Sequence, residues 1–290
     1  MSFRTVVISN TCKLDYKLNY LTIRTNEDIK QVFIEEIAVL ILETTAISIT
    51  AALLSELIKQ KVKVIFCDEK RNPSSELISY YGSHDTSNKI LSQINWDTII
   101  KEEVWTIIIK EKIKNQALLL KELNLSQHEL LFSYIDQLEH YDSTNREGHA
   151  AKVYFNAIFG NEFTRNDDCA TNAALNYGYT LLLSTFNREI VSQGYITQLG
   201  LFHKNRFNQF NFASDLIEPF RVIVDKFVIR NNFSKFEKDE KHIMVTILNQ
   251  EVKIDGKKQY LLNAIKIYCK SVFNILNKLD NDFICFEYEL

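Results

Sequence analysis

Glycine and proline are nearly absent from this chain, with 7 and 2 positions in 290 residues. Tight turns and bulges draw on both, so their scarcity argues against a mostly-β, turn-rich fold and for long helices. The composition, 46% hydrophobic and 24% charged, is that of a soluble globular protein, and the length allows one large domain or two modest ones. The longest apolar run, Ile37 to Leu42, is six residues. A membrane helix needs roughly 20, and MSFRTVVIS lacks the apolar core of a signal peptide. A cytoplasmic protein without membrane contact is expected. Cys12, Cys67, Cys169, Cys269 and Cys285 are odd in number and form no CxxC, so they read as reduced core residues.

The scarcity is offset early in the chain by strand patterns. Residues 3–8 (FRTVVI) are β-rich. KLDYKL at 13–18 and YLTIR at 20–24 alternate in polarity, with Asn19 as the joint of a hairpin. Residues 36–43 read as a more continuously apolar strand, 47–60 as a helix with Ile49, Leu53, Leu57 and Ile58 on one face, and 62–66 as a further strand. At DEKRNPSS, residues 68–75, the composition turns polar and the first proline appears, which marks a domain boundary. Helical periodicity dominates beyond it. Residues 96–121 carry Ile99, Ile100, Val104, Ile107 and Ile108 on one stripe, and Phe220, Ile223, Val224, Phe227 and Val228 form another. Residues 231–258 read as a charged, less regular insertion, and 260–279 as a final helix.

Three polar clusters carry possible chemistry, and each has a plain structural explanation beside it. In DSTNREGHAAKVYF, residues 142–155, Thr144 and Glu147 fit a capping box. Yet Glu147 shares a face with Ala151, Tyr154 and Ile158 that looks packed, and Gly148 would let another group approach the backbone. In FHKNRFNQFNFASDLIEPFR, residues 202–221, His203 is either an ordinary hydrogen-bonded histidine or a ligand. Asp215 and Glu218 are either a second capping box or two acids on one side of a helix start. Pro219 belongs in a helix's first turn. Two acids and an imidazole facing one point would repel or be strongly desolvated unless a cation bound them. Phe207, Phe210 and Phe212 are core residues or base-stacking ones.

Taken together, NREGHAAKVYFNAIFGNEFTR, TNAALNYGYTLLLS and GLFHKNRFNQFNFASDLIEPFR closely resemble the CRISPR-associated integrase family, the "Cas-one" proteins of spacer acquisition. RTVVIS, LLSELIKQKVKVIFCDEKRNP and YYGSHD resemble its type II-A branch, although Val222 stands where a proline is expected. The resemblance covers nearly the whole chain and is weakest from about 231 to 290. It implies an α+β fold: a small N-terminal β-sandwich-like dimerisation domain with one helix over 1–75, and a larger all-α catalytic domain over 76–290.

The resemblance also implies that Glu147, His203 and Glu218 bind Mn²⁺ or Mg²⁺, with Asp215 as a supporting acid. Hard carboxylates suit Mg²⁺ or Mn²⁺, and an imidazole biases such a set toward Mn²⁺. Whether His203 is a ligand or a general acid stays open. The implied reaction is attack of a DNA 3′-hydroxyl on a phosphodiester at a CRISPR repeat border. The alternatives are a structural DNA-capture subunit whose acids are only helix caps, and a branched-DNA nuclease.

Implied partners are double-stranded DNA (protospacer and repeat), a second copy of the chain, and the small "Cas-two" protein in a heterohexamer. In the type II branch the effector nuclease and a ring-shaped DNA-end-binding protein join them. The net charge of −3 fits DNA binding only if basic residues act locally or from several chains. Lys59, Lys61, Lys63, Arg146, Lys204 and Arg206 are the candidates. Tyr154, Asn176 and Tyr177 are candidates to line the site.

Overall fold

A computed structural model describes residues 4–79 and 83–288. Tyr80, Tyr81 and Gly82 of the YYGSHD segment lie outside the described residues. Strands β1 (Arg4–Ile8), β2 (Cys12–Lys17), β3 (Tyr20–Arg24), β4 (Ile29–Phe33), β5 (Ile37–Leu42) and β6 (Ile47–Ile49) precede helix α1 (Ala51–Lys59). Strands β7 (Lys63–Cys67) and β8 (Pro73–Leu77) follow. They form two four-stranded sheets, ordered β1-β5-β7-β8 and β4-β3-β2-β6. The expected hairpin is present: β2 and β3 pair antiparallel, Leu14 opposite Ile23, across Leu18 and Asn19 in left-handed conformations. Where β5 pairs in parallel with β1 and β7, all six of its residues are buried. An inner parallel strand covered on both faces needs a continuous apolar run rather than alternation. Ile37, Leu40, Leu42 and Val64 pack with Leu14, Leu21, Leu53 and Leu57 between the two sheets. Val39, Ile41 and Ile65 of the same strands join the larger core with the helices.

Two expectations in this region need correction. Ile47–Ile49 is a strand paired in parallel with Cys12–Leu14, and the helix starts only at Ala51. Thr50 is its N-cap, its hydroxyl accepting from the Leu53 amide at 3.3 Å. The two isoleucines favour the extended backbone that the cap also requires. The compositional boundary at residue 75 falls inside β8, which pairs antiparallel with β7 and begins at Pro73. A proline opening an edge strand leaves the ladder intact.

The helices follow: α2 (Thr86–Ile94), α3 (Thr98–Glu122), α4 (His128–Asp136), α5 (Arg146–Phe159), α6 (Ala170–Ser192), α7 (Asn211–Leu216), α8 (Arg221–Asn231), α9 (Lys238–Val245) and α10 (Leu261–Leu276). α3 and α6 run 25 and 23 residues, the long helices that few glycines and prolines predict. The buried stripe of α3 contains Val104, Trp105, Ile108, Ile109 and Ile113, while Ile99 is exposed. Residues 231–258 are more regular than expected. α9 has a Glu237–Glu240 capping box, and Met244, Val245, Ile247, Leu248 and Ile254 enter the core. The helical region is not purely α, because β9 (Glu251–Ile254), β10 (Lys257–Tyr260) and β11 (Phe286–Glu287) make a three-stranded antiparallel sheet. All five cysteines are free, three of them buried. No helix of the described residues is long and apolar enough to cross a membrane.

Candidate active site

Glu147 stands in the first turn of α5, and the chain reaches it through Tyr141, Asp142 and Asn145, all with left-handed backbones. This bend brings the Asp142 carboxylate back over the helix start, where it accepts from the amides of Arg146 (2.6 Å) and Glu147 (3.1 Å). Asp142 therefore takes the capping role that sequence spacing offered to Thr144 and Glu147. The Thr144 hydroxyl is buried without a partner, and the Glu147 side chain is released for another use. Gly148 leaves room for the Asn145 side chain, whose oxygen would lie 2.8 Å from a Cβ there and would have to move.

Glu218 and Pro219 open the short 3₁₀ turn 218–220 that leads into α8. The Pro219 carbonyl accepts from the Asn115 side chain at 3.1 Å, which pins the turn to α3. Both acids meet one cation. The buried Lys112 ammonium contacts Glu147 Oε1 and lies 2.5 Å from Glu218 Oε2. On its other side Glu218 Oε1 takes two 3.0 Å contacts from the Arg221 guanidinium. Burial pushes the Glu218 carboxyl up, but Arg221 and Lys112 overcome this and hold it at about 2. Burial depresses the Lys112 ammonium, and Glu218 and Glu147 together reverse the sign.

These groups line a cavity of about 520 Å³ together with Gln116, Arg165, Asn176, Tyr179, Thr180 and Asp225. Arg221 and Arg165 lie over the Tyr179 ring, at 4.8 and 5.5 Å from its centroid. Asp225 is buried beneath, receiving the Tyr154 and Tyr179 hydroxyls. Its burial outweighs those bonds and pushes its carboxyl up to about 6.

His203 and Asp215 form a second pair. Asp215 is fully buried and accepts from the amides of Leu201 (2.5 Å), Phe202 (3.2 Å) and His203 (3.1 Å). Its Oδ1 also lies 2.5 Å from His203 Nδ1. This partner assigns the proton to Nδ1 and leaves Nε2 as the ring's second nitrogen. The bond to Asp215 raises the His203 pKa against its burial, and Glu218 adds to the rise. Gly200 permits the wrap, because a Cβ there would come within 2.5 Å of Asp215 Oδ2. The imidazole stands edge-on to Trp105 at 5.8 Å, and Trp105 stacks on Phe202 at 4.5 Å. Thus α3 supports the histidine loop through Trp105 and the carboxylates through Lys112.

The sequence-predicted residues therefore gather as two pairs, Glu147 with Glu218 and His203 with Asp215. Among the described residues no group of three or more His, Cys, Asp or Glu side chains is placed to hold a metal. The chemistry of the donor set nevertheless fits Mn²⁺ or Mg²⁺. Two hard carboxylates already converge on one positive charge, and Glu218 Oε2 is buried without a well-angled hydrogen bond despite the nearby ammonium. The His203–Asp215 bond is the kind that orients a ligating imidazole.

Other assignments shift. Tyr154 is wholly buried beneath the cavity, and Asn176 lines it. Tyr177 does not line it: α6 turns positions 176, 179 and 180 to the cavity, whereas Tyr177 is buried beside Phe236 and Lys241. Lys63 is not open to DNA, being 3% exposed and ion-paired with Glu76. Lys59 and Lys61 line a separate groove with Arg188. Arg146 sits over the Tyr134 ring at 5.4 Å, and Lys204 and Arg206 are exposed. Of the three phenylalanines, Phe212 is buried, Phe210 half-buried and Phe207 96% exposed. Sequence reasoning missed Lys112, Arg221, Arg165 and Asp225. A signal for Lys112 existed, since it continues the row Val104–Ile108 where an apolar residue belongs.

A cavity walled by carboxylates, arginines and a lysine belongs to a protein that handles ions and anionic groups, not one that carries apolar ligands. Residues 5–260 match the family described as CRISPR associated protein Cas1, and the chain belongs to that family. The CRISPR-associated endonuclease Cas1 of Neisseria meningitidis serogroup C (strain 8013) is 37% identical over 230 residues, covering 79% of this chain and 76% of the relative. In fold, the chain is similar to a casposase bound to integration product, with a TM-score of 0.77 and 19% identity over 98% of this chain and 92% of the other. It is also similar to a chain of a Cas6-RT-Cas1–Cas2 complex, with a TM-score of 0.72 and 16% identity, over 95% of this chain and 35% of that one.

Proposed function

We propose that this protein is a divalent-metal-dependent DNA endonuclease and integrase of the type II-A branch, inserting captured fragments into a CRISPR array by 3′-hydroxyl transesterification. The observation that carries the reading is the convergence of Glu147 and Glu218, from two helix starts remote in sequence, on a single cation position. Membership of the Cas1 family and the name of the Neisseria relative support nuclease chemistry. The product-bound casposase of the same fold supports strand transfer.

Glu147, Glu218 and Nε2 of His203 would hold Mn²⁺ or Mg²⁺. The ion, when bound, lowers the pKa of the attacking hydroxyl and neutralises charge on the phosphate. Asp215 fixes the ring so that Nε2 is the nitrogen presented. Arg221 and Arg165, braced on Tyr179, give the cavity a cationic wall for phosphate oxygens. The 3′-oxygen leaving group needs a proton, which a protonated His203 can supply at Nε2 if it is not a ligand.

Double-stranded DNA, a second copy of the chain and a Cas2 subunit in a heterohexamer are the partners this reading requires. The effector nuclease and a ring-shaped DNA-end-binding protein complete it. The alternative in which the acids are only helix caps loses its footing at Glu147, where Asp142 is the cap. Strand transfer into a repeat-bearing plasmid with Mn²⁺ tests the proposal. Glu147→Ala is expected to abolish joining with little change in melting temperature, whereas retained joining overturns it. Nicking without joining by the unaltered protein would favour the branched-DNA nuclease.

A further inference from the structure

We propose that Lys112 is the resident counter-ion of the Glu147–Glu218 pair, and that a divalent ion enters only by displacing its ammonium group. This rests on the metal-dependent reading above and concerns what the chain itself does before the ion arrives. Lys112 lies on the buried face of α3, between Ile108 and Ile113, with its ammonium reaching both acids. Arg221 neutralises Glu218 from the opposite side and makes its contacts through Oε1. Two carboxylates, one ammonium and one guanidinium sum to zero charge, so the cluster is already neutral. A dication added to it would leave two uncompensated positive charges in a largely buried place, which is strongly unfavourable. The ammonium must therefore move off as the ion enters, and an anionic group must follow.

A DNA phosphodiester is the anion at hand in this reading. Lysine suits the exchange because its charge is a compact point on a flexible stem, which can leave the acids for a phosphate without breaking a planar bidentate pair. The lysine thus sets a threshold: the ion binds weakly alone and more tightly when DNA supplies negative charge, as linkage requires.

The test is Mn²⁺ binding to the full chain without DNA, followed by electron paramagnetic resonance of free Mn²⁺ and by melting temperature. Lys112→Met is expected to melt lower than the unaltered protein without metal and to bind Mn²⁺ at least tenfold tighter. Lys112→Arg, which keeps the charge but grips both carboxylates in a fork, is expected to bind Mn²⁺ more weakly. Equal or weaker binding by folded Lys112→Met overturns the proposal. If that variant does not fold, Lys112→Arg decides, and unchanged or tighter binding there overturns it. Absence of Mn²⁺ binding by the folded unaltered protein and by folded Lys112→Met would remove the metal-dependent reading itself. Binding by the unaltered protein with the wrong order among variants removes only the role of Lys112.

Discussion

Among the described residues, Lys63 and Lys112 are buried in ion pairs, and their surroundings differ in one carboxylate. Lys63, at the start of β7, meets Glu76 of β8, which also accepts from the Ser184 hydroxyl of α6 at 2.8 Å. Burial lowers its pKa, Glu76 opposes that only in part, and Arg188 adds to the lowering. Lys112 has two acids, and its pKa is raised. One carboxylate makes a closed link between the β-sheet and a helix. At Lys112 a second acid reaches the same ammonium, and this is where the proposed competition between cations would take place. Buried charge by itself therefore does not distinguish the two places; the second acid on the same ammonium does.

Removal of the acid is expected to separate the two places most strongly. Glu76→Ala leaves Lys63 buried and unpaired, and should cost about 3–5 kcal/mol in urea unfolding; a change below about 1 kcal/mol would erase the contrast. Glu218→Gln leaves Lys112 with Glu147 but deprives Arg221 of its carboxylate, so stability should fall here too while the chain stays folded. Strand transfer should nonetheless drop roughly a hundredfold or more, about 3 kcal/mol of transition-state stabilisation. Activity near that of the unaltered protein would place the chemistry elsewhere.

Acidity sharpens the comparison further. Asp225 is raised to about 6 from 3.8, so its folded form takes up a proton that the unfolded chain does not. Stability then rises as pH falls from about 7 toward 4, by roughly 2–3 kcal/mol. Glu218 works in the opposite sense: its carboxyl is held at about 2, and its contribution is complete above about 4.5 and lost as pH falls toward 2. Denaturant midpoints between pH 7 and 4 should show the rise, and Asp225→Asn should reduce it, leaving the part that the raised His203, Asp215 and Glu189 contribute in the same direction. The smallest effect concerns DNA. Lys204→Ala or Arg206→Ala should each lower the salt-dependence slope of DNA binding by about 1. Lys63→Ala, measured under conditions where it is folded, should leave the slope unchanged.

Much of this was legible before any coordinates. Scarcity of glycine and proline pointed to long helices, apolar periodicity over 96–121 predicted α3, and polarity alternation predicted β2 and β3 with their hairpin at Asn19. The apolar run 37–42 became the doubly covered β5. The reading failed where a local rule had two solutions. Ile47–Ile49 fits a helical face as well as a strand, and only its partner Cys12–Leu14 decides. Thr144 and Glu147 fit a capping box, but the left-handed residues before α5 bring Asp142 to the amides first. Such competition between nearby acceptors depends on the path of the chain, which spacing does not specify.

By itself the sequence determined a strand-rich first part followed by long helices, and the two segments that contain the acids and the histidine. These follow from patterns repeated over many residues, in which each position adds a small bias to the same outcome. Only the tertiary structure decided that Lys112, rather than a third protein acid, stands between Glu147 and Glu218, that His203 turns to Asp215, and that Lys63 is buried against Glu76. Each is settled by a few ångströms between elements far apart in the chain. The energy of a buried charge depends on which partners arrive there, and sequence spacing does not encode that distance.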